Sequence, residues 1–294
     1  MLARALRSPA VNAALRVGLR PLAPLVPAQQ IARVPVVGTV RVRLPGGADL
    51  RLDSDGRDVV AAALYWRGLR GFEPETVELF LSLLAGARTV LDVGANVGLF
   101  ALLAGLDDQR RSVFAFEPVP ETFERLRRNI HLNGLLRVEP VAAAVGARDG
   151  VVELHVPPGE ALPLGASTLE GFREPGRRLA VSAITLDRFA AERGLAHVDL
   201  LKVDTEGTEP EVLTGARALL ERDRPWIVCE VLHGLTEDGL HAVLGPLGYR
   251  YFAIGSRGPV ERSRIAGDPS YRDRNWLFAP RERALVPRTG PTQR

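Results

Sequence analysis

Between residues 88 and 231, short apolar runs that close on or beside an acid alternate with segments of helical periodicity. This alternation constrains the fold more than any other feature. "TVLDVG" reads as a first strand, followed by a helix at 98–105. "SVFAFEP" is a second strand, with a helix at 120–132 that Asn133-Gly134 closes. "VEPVAAAVG", "DLLKVDTEG" and "PWIVCEV" follow as third, fourth and fifth strands, and a helix at 236–247 comes after the last. Strands that are apolar at every position are buried on both faces, so the pattern implies a parallel sheet covered by helices on both sides. A chain of 294 residues is long enough to bury one large core of this α/β kind.

The flanks decorate this core. Residues 39–53, "TVRVRLPGGADLRLD", alternate apolar with polar around Pro45-Gly46-Gly47 and predict a hairpin. Helices are expected near 57–66 and in "GFEPETVELFLSLLAG", where Pro74 suits a first helical turn. Residues 151–184 interrupt the rhythm with two β segments around a polar, glycine-rich loop at 157–178. "TLDRFAAERG" is a short helix, and "TEPEVLTGARALLER" is one helix whose Thr208 and Glu211 have capping-box spacing. "YRYFAIG" and "NWLFAP" are the final strands. The expected organisation is a basic extension at 1–38, one domain at 39–283 with a cofactor-binding core at 71–231, and a disordered polar tail at 284–294.

Bulk charge narrows the function. A net charge of +3, from 38 basic and 35 acidic residues, is too balanced to point to nucleic acid without a clustered basic surface. One cysteine, Cys229, excludes an internal disulfide and any CxxC motif, which fits a cytoplasmic setting. No run approaches the roughly 18 apolar residues of a transmembrane span. The N-terminus mixes Arg4, Arg7, Arg16 and Arg20 with Leu, Ala and Pro, and reads as an amphipathic basic extension facing a membrane surface or a partner. Lys202 is the sole lysine.

In an open parallel sheet, ligands bind outside the carboxyl ends of the strands, near the point where strand order reverses. Here those ends carry Asp92, Glu117, Asp204 and Glu230. Between the first strand and its helix, Gly94-Ala95-Asn96-Val97-Gly98 lets backbone approach a ligand. The spacing is neither the G-x-G-x-x-G of dinucleotide sites nor a P-loop, and an acidic rim suits pyrophosphate poorly. It suits S-adenosylmethionine, which carries a sulfonium and an ammonium. On this reading Glu117 accepts hydrogen bonds from the ribose hydroxyls, and Asp92 faces the amino-acid end through backbone or water.

The stretches "GFEPET", "TVLDVGANVGLFALLAG", "FAFEPVPETFERLRRNIHLNGL", "AAAVGARDGVVELHV", "VSAITLDRF" and "VDLLKVDTEGTEPEVLTGARALL" together cover roughly residues 71–221. In them the chain resembles the FkbM family of S-adenosylmethionine-dependent methyltransferases. The resemblance implies a class I methyltransferase (Rossmann-like) fold: a mostly parallel, seven-stranded sheet whose last strand is antiparallel, here with an N-terminal hairpin and helical extension. It implies methyl transfer to a hydroxyl of a sugar, a secondary metabolite or another small molecule. Asp92, Gly94, Asn96, Gly98 and Glu117 match the family's cofactor loop, and Ala143 falls where the adenine is flanked.

Methyl transfer from a sulfonium is an in-line displacement, so the protein mainly aligns the reacting atoms, and a base helps an alcohol that keeps its proton. Asp204, Glu206 and His233 are the candidates. The alternatives are cofactor anchoring for Asp204, stabilisation of a helix N-terminus for Glu206, and an idle loop position for His233. Lys202, two residues before Asp204, faces the same side of the sheet and pairs with an acid or orients substrate. Asp204, Glu206 and Glu230 form an oxygen set that Mg²⁺ accepts, but the sequence requires no metal. An RNA methyltransferase, a nicotinamide oxidoreductase and a non-catalytic cofactor-binding scaffold are the competing functions. Neither a [ND]-P-P-[YFW] motif nor an aromatic–basic RNA-binding stretch is present.

Overall fold

A computed structural model describes residues 7–157, 167 and 176–283. The expected tail at 284–294 and most of the 157–178 loop lie outside the described residues. Ahead of the domain come α1 (Pro9–Leu19) and the single turn α2 (Ala28–Ile31), so the extension is helical and docked. The hairpin is β1 (Val37–Arg43) against β2 (Asp49–Asp55), antiparallel. Then follow α3 (Val59–Arg67), α4 (Pro74–Leu83), β3 (Thr89–Val93), α5 (Leu99–Asp107), β4 (Ser112–Phe116), α6 (Pro120–Leu132) and β5 (Val138–Val141). β6 (Ala144–Val145), β7 (Gly150–Val156) and β8 (Arg177–Ile184) form a separate small sheet. The chain returns through α7 (Leu186–Glu192), β9 (Leu200–Val203), α8 (Glu209–Thr214), α9 (Arg217–Asp223), β10 (Trp226–Glu230) and α10 (Glu237–Leu244). It closes with β11 (Tyr249–Gly255), β12 (Gly258–Arg262) and β13 (Asn275–Pro280).

The large sheet runs β12-β11-β13-β10-β9-β3-β4-β5. Strands β5, β4, β3, β9 and β10 are parallel neighbours, and β13 lies antiparallel between β10 and β11. The class I order is therefore present, with its final strand antiparallel. The sheet has eight strands rather than seven, because a turn at Gly255–Gly258 folds β12 back onto β11. That strand is short and mostly exposed, so it lacks the apolar run by which the others are legible.

Strand parity assigns the two cores. Val90, Val113, Leu200 and Val228 face α4, α5 and the hairpin, while Leu91, Phe116, Leu201 and Ile227 face α7–α10. Two expected elements are divided. The third strand ends at Val141, where the Ala143 N–H turns back onto the Val141 carbonyl, and Ala144–Val145 leaves to pair with β8. The helix after the fourth strand breaks at Gly215, because the backbone of Gly146 passes so close that a Cβ there would lie 2.1 Å from its carbonyl oxygen. The Asp187 carboxylate then accepts from the Ala218 and Leu219 N–H groups and restarts the helix as α9. The capping box at Thr208 does not form, since the Thr208 side chain makes no cap hydrogen bond.

The N-terminal hairpin is fixed to the Gly94–Gly98 loop by α6. Asn129, fully buried, accepts from the Asp53 N–H at 2.8 Å and donates to the Val97 carbonyl at 2.9 Å. Asn133 brackets Arg51, accepting from its N–H and donating to its carbonyl. Arg125 pairs with Asp53 at 2.9 Å and Asp55 at 2.8 Å. Replacing Asn129 by Ala orphans two buried backbone groups, each worth roughly 1–3 kcal/mol. Urea unfolding should therefore show Asn129→Ala destabilised by about 2–4 kcal/mol.

Candidate active site

Strand order reverses between β3 and β9, and a cleft opens at the carboxyl ends of these strands. It is lined by the two sides of the switch point. Gly94, Asn96, Glu117 and Ala143 come from one side, and Asp204, Thr205, Glu206 and Thr208 from the other. Leu154 of the small sheet contributes apolar wall.

Glu117 follows β4 directly. Its Oε2 accepts from the Asn96 N–H at 3.0 Å and its Oε1 from the Val119 N–H at 2.8 Å. Two backbone donors thus fix the carboxylate while each oxygen keeps a lone pair for a ligand hydroxyl. Burial lifts this carboxyl to about 7, against the lowering effect of the two N–H groups. Asn96 sits at φ 51° and its Oδ1 accepts from the Val97 N–H, a local bond that helps the loop tolerate the left-handed turn.

Gly94 is required by the protein itself. At its φ of +77° a Cβ would stand 1.8 Å from the Asp204 carbonyl oxygen, so the β3 and β9 loops touch backbone to backbone at this point. Gly98 and Asp92 lie behind the cleft. Gly98 caps α5 at φ 97°, where a Cβ would strike Leu126 Cδ1 at 2.5 Å. Asp92, 1% exposed, accepts from the Ala101 N–H in the first turn of α5 at 2.9 Å. It is the register partner of Lys202 across β3–β9. Burial raises its carboxyl to about 6, with Lys202 and the Ala101 N–H opposing the rise.

Lys202 is 1% exposed, donates to Asp204 Oδ2 at 2.9 Å and lies 4.9 Å from the centre of the Phe100 ring. Burial alone would lower its pKa, but Asp204, Glu73 and Asp92 together raise it. Glu73 reaches this cluster from the N-cap of α4, at φ 41°. Its Oε2 accepts from Asn275 Nδ2 at 2.9 Å.

The loop after Asp204 is shaped by Glu209. This buried carboxylate accepts from the Thr205 N–H, the Thr205 hydroxyl and the Gly207 N–H, all in the loop ahead of α8. Glu206 lies in the same loop at φ 56° and 9% exposed. Opposite it, Glu230 is 2% exposed and pairs with Arg274 at 2.7 Å. Burial, with the nearby charges of Asp204 and Glu206, pushes the Glu230 carboxyl well above the usual range while Arg274 opposes the rise. Oxygens of Asp204, Glu206 and Glu230 lie within 4.8 Å of one another. Such a set is able to hold an oxygen-ligated cation, though Lys202 and Arg274 already counter two of its charges.

The histidine departs from this group. His233 is exposed, outside the lining of the cleft, with Nδ1 3.1 Å from the Gly267 carbonyl and 3.6 Å from Glu237. Four residues unread in the sequence complete the site: Glu73, Glu209, Arg274 and Asn275. Glu209 was accessible from the sequence, as an acid just past the strand end on the N-terminal turn of a helix. The other three arrive through contacts distant in the chain: the Glu73–Asn275 bond spans 202 residues, and Arg274 reaches Glu230 from the far side of β11 and β12.

Two outcomes test this geometry. Gly94→Ala places a methyl group against the Asp204 carbonyl, so urea unfolding should show a loss of about 3 kcal/mol, the upper range for forced overpacking. The second concerns pH. Folding raises the Glu117 carboxyl from 4.5 to about 7, so its contribution is complete below pH 4.5 and is lost as pH rises through 7. Glu117→Gln removes that dependence, and its melting temperature relative to the unsubstituted protein should climb between pH 5 and pH 8.

The model of the methyltransferase FkbM domain matches residues 92–251. The 31-O-demethyl-FK506 methyltransferase FkbM of Streptomyces tacrolimicus is 33% identical over 153 residues, which are 43% of this chain and 58% of that protein. The hexuronic acid methyltransferase AglP of Haloferax volcanii is 29% identical over 155 residues, 53% and 60% of the two chains. The crystal structure of a methyltransferase FkbM from Methylobacillus flagellatus is 18% identical, with a TM-score of 0.43 over 65% of this chain and 43% of its own. The chain spans less than two thirds of the length of each of these relatives. Because the domain match takes in more than half of its residues, around the cleft just described, the chain belongs to the FkbM methyltransferase family.

Proposed function

We propose that this chain is an S-adenosylmethionine-dependent O-methyltransferase acting in the cytoplasm on a hydroxyl of a sugar, a secondary metabolite or another small molecule. The observation that carries the reading is the Glu117 carboxylate, fixed by two backbone N–H groups at the cleft wall with lone pairs left for a pair of ribose hydroxyls. Gly94, Asn96 and Ala143 line the same cavity. Facing them, the acids at 204, 206 and 230 suit a sulfonium and an ammonium rather than a pyrophosphate. The names of the relatives support an oxygen acceptor: one is a hexuronic acid methyltransferase and another a 2-O-methyltransferase.

The cofactor, when bound, supplies an activated methyl group; the residues of the chain align the acceptor and manage its proton. Asp204 is held by the Lys202 ammonium, which suits it to hold and orient the reacting groups. Glu206, at the inner end of the same loop, is the better candidate to take the hydroxyl proton. Asp92 and Gly98 support the loop from behind, and His233 has no place in this scheme.

Calorimetry with S-adenosylhomocysteine against NAD tests the cofactor class: only the former should bind. Glu117→Ala should weaken that binding more than about tenfold, since charge-assisted hydrogen bonds are worth roughly 1.5–3 kcal/mol. With a surrogate alcohol and saturating cofactor, Glu206→Gln should retain affinity and lose about 10²–10⁴ in turnover. Full turnover in Glu206→Gln, Asp204→Asn and His233→Ala alike would leave alignment alone to account for the rate.

A further inference from the structure

Helix α1 is built with its polarity reversed. Its polar residues face the protein. Asn12 is fully buried, donating to the Pro35 carbonyl at 2.7 Å and accepting from the Val37 N–H at 2.9 Å. The Arg16 guanidinium lies 5.1 Å from the centre of the Tyr65 ring. The outward arc is instead apolar: Ala10, Val11, Ala13, Ala14, Val17 and Gly18 are all exposed. Among the described residues, four of the nine exposed large apolar side chains fall in this short stretch: Val11 at 46%, Val17 at 75%, Leu22 at 51% and Leu25 at 81%. A surface helix of a soluble domain normally shows the opposite arrangement, and an apolar patch of this kind marks a surface that something covers.

Charge says what covers it. Residues 1–48 contain seven arginines and no acid, and although Arg16 is turned onto Tyr65 and Arg43 pairs with Asp49, Arg20, Arg33 and Arg41 are exposed; the remaining 31 basic residues face 35 acids. A second copy would bring two such segments together, like charge against like charge. An anionic bilayer attracts them, and its acyl boundary accepts the apolar arc. Nucleic acid would attract the arginines and leave Val17, Leu22 and Leu25 uncovered. The anchor is rigid as well, since Arg67 donates to the Ala23 and Val26 carbonyls and Leu19 packs on the core. We infer that the outward face of α1 and the Leu22–Leu25 turn lies on an anionic lipid surface, making this a peripheral membrane protein whose cleft works beside the bilayer.

Vesicle co-sedimentation of the full chain tests the inference without reference to catalysis. The protein should sediment with phosphatidylcholine vesicles that contain phosphatidylglycerol and stay in solution with phosphatidylcholine alone. Binding should fall as salt shortens the screening length. Val17→Asp combined with Leu25→Asp should weaken vesicle binding by about tenfold or more, given the free energy of each buried methylene. Both side chains are exposed, so the melting temperature of the variant should match that of the parent. Parent protein that stays in solution with anionic vesicles at low salt overturns the inference. So does a variant that binds as well as the parent. A concentration-dependent dimer that the two substitutions abolish also overturns it, by assigning the face to a second copy.

Discussion

The ammonium of Lys202 is the charge on which the site depends. It is removed from water in the middle of the sheet, where an isolated cation is costly. It persists because Asp92, Asp204 and Glu73 surround it from β3, β9 and α4, and Phe100 offers the face of its ring. The dependence is mutual. Without the lysine, three carboxylates would share a poorly hydrated volume, and the already raised Asp92 and Glu73 carboxyls would rise further. Three separate elements are thereby held in register: the strand that leads into the Gly94–Gly98 loop, the strand that ends at the acidic loop, and the helix that carries Glu73.

Around that charge the backbone is packed to contact. Gly94 and the Asp204 carbonyl meet with no room for a methyl group, so the two loops bordering the cleft are effectively one rigid wall. Glu209 stiffens the second loop by gathering three of its donors, and Asn129 ties the first to the hairpin. Glu206 keeps a left-handed conformation within this frame. A residue with a side chain in that region costs free energy that the surrounding contacts must offset, and such positions concentrate where geometry serves chemistry.

The sequence made the parallel core readable because its strands are predominantly apolar and four of the five end on or beside an acid. Glu117, Gly94 and Asn96 could be placed from that rule, and so could the shared face of Lys202 and Asp204. Gly94 was legible as a glycine that permits close approach, but not as one whose neighbour is Asp204 rather than a ligand. The division at Gly215 was hidden, because it arises from Gly146 pressing on the helix from another part of the chain. Arg274 and Asn275 were hidden for a related reason: Asn275 is the register partner of Glu230 across β10–β13 and Arg274, just before it, pairs with the same acid, and only the folded sheet creates that arrangement. His233 looked eligible from its distance along the chain to Glu230, yet the chain turns after β10 and carries it outward.

The burial of the sole lysine has a chemical consequence. Every cationic side chain on the folded surface is a guanidinium or an imidazole, so reagents that acylate ε-amines find no side-chain target there. Lys202 becomes reactive only when β9 opens and its carboxylate cage releases it. Acylation at that one side chain therefore acts as a clock for opening of the sheet's centre, read by mass on the peptide that carries Lys202 and apart from acylation of the α-amino group.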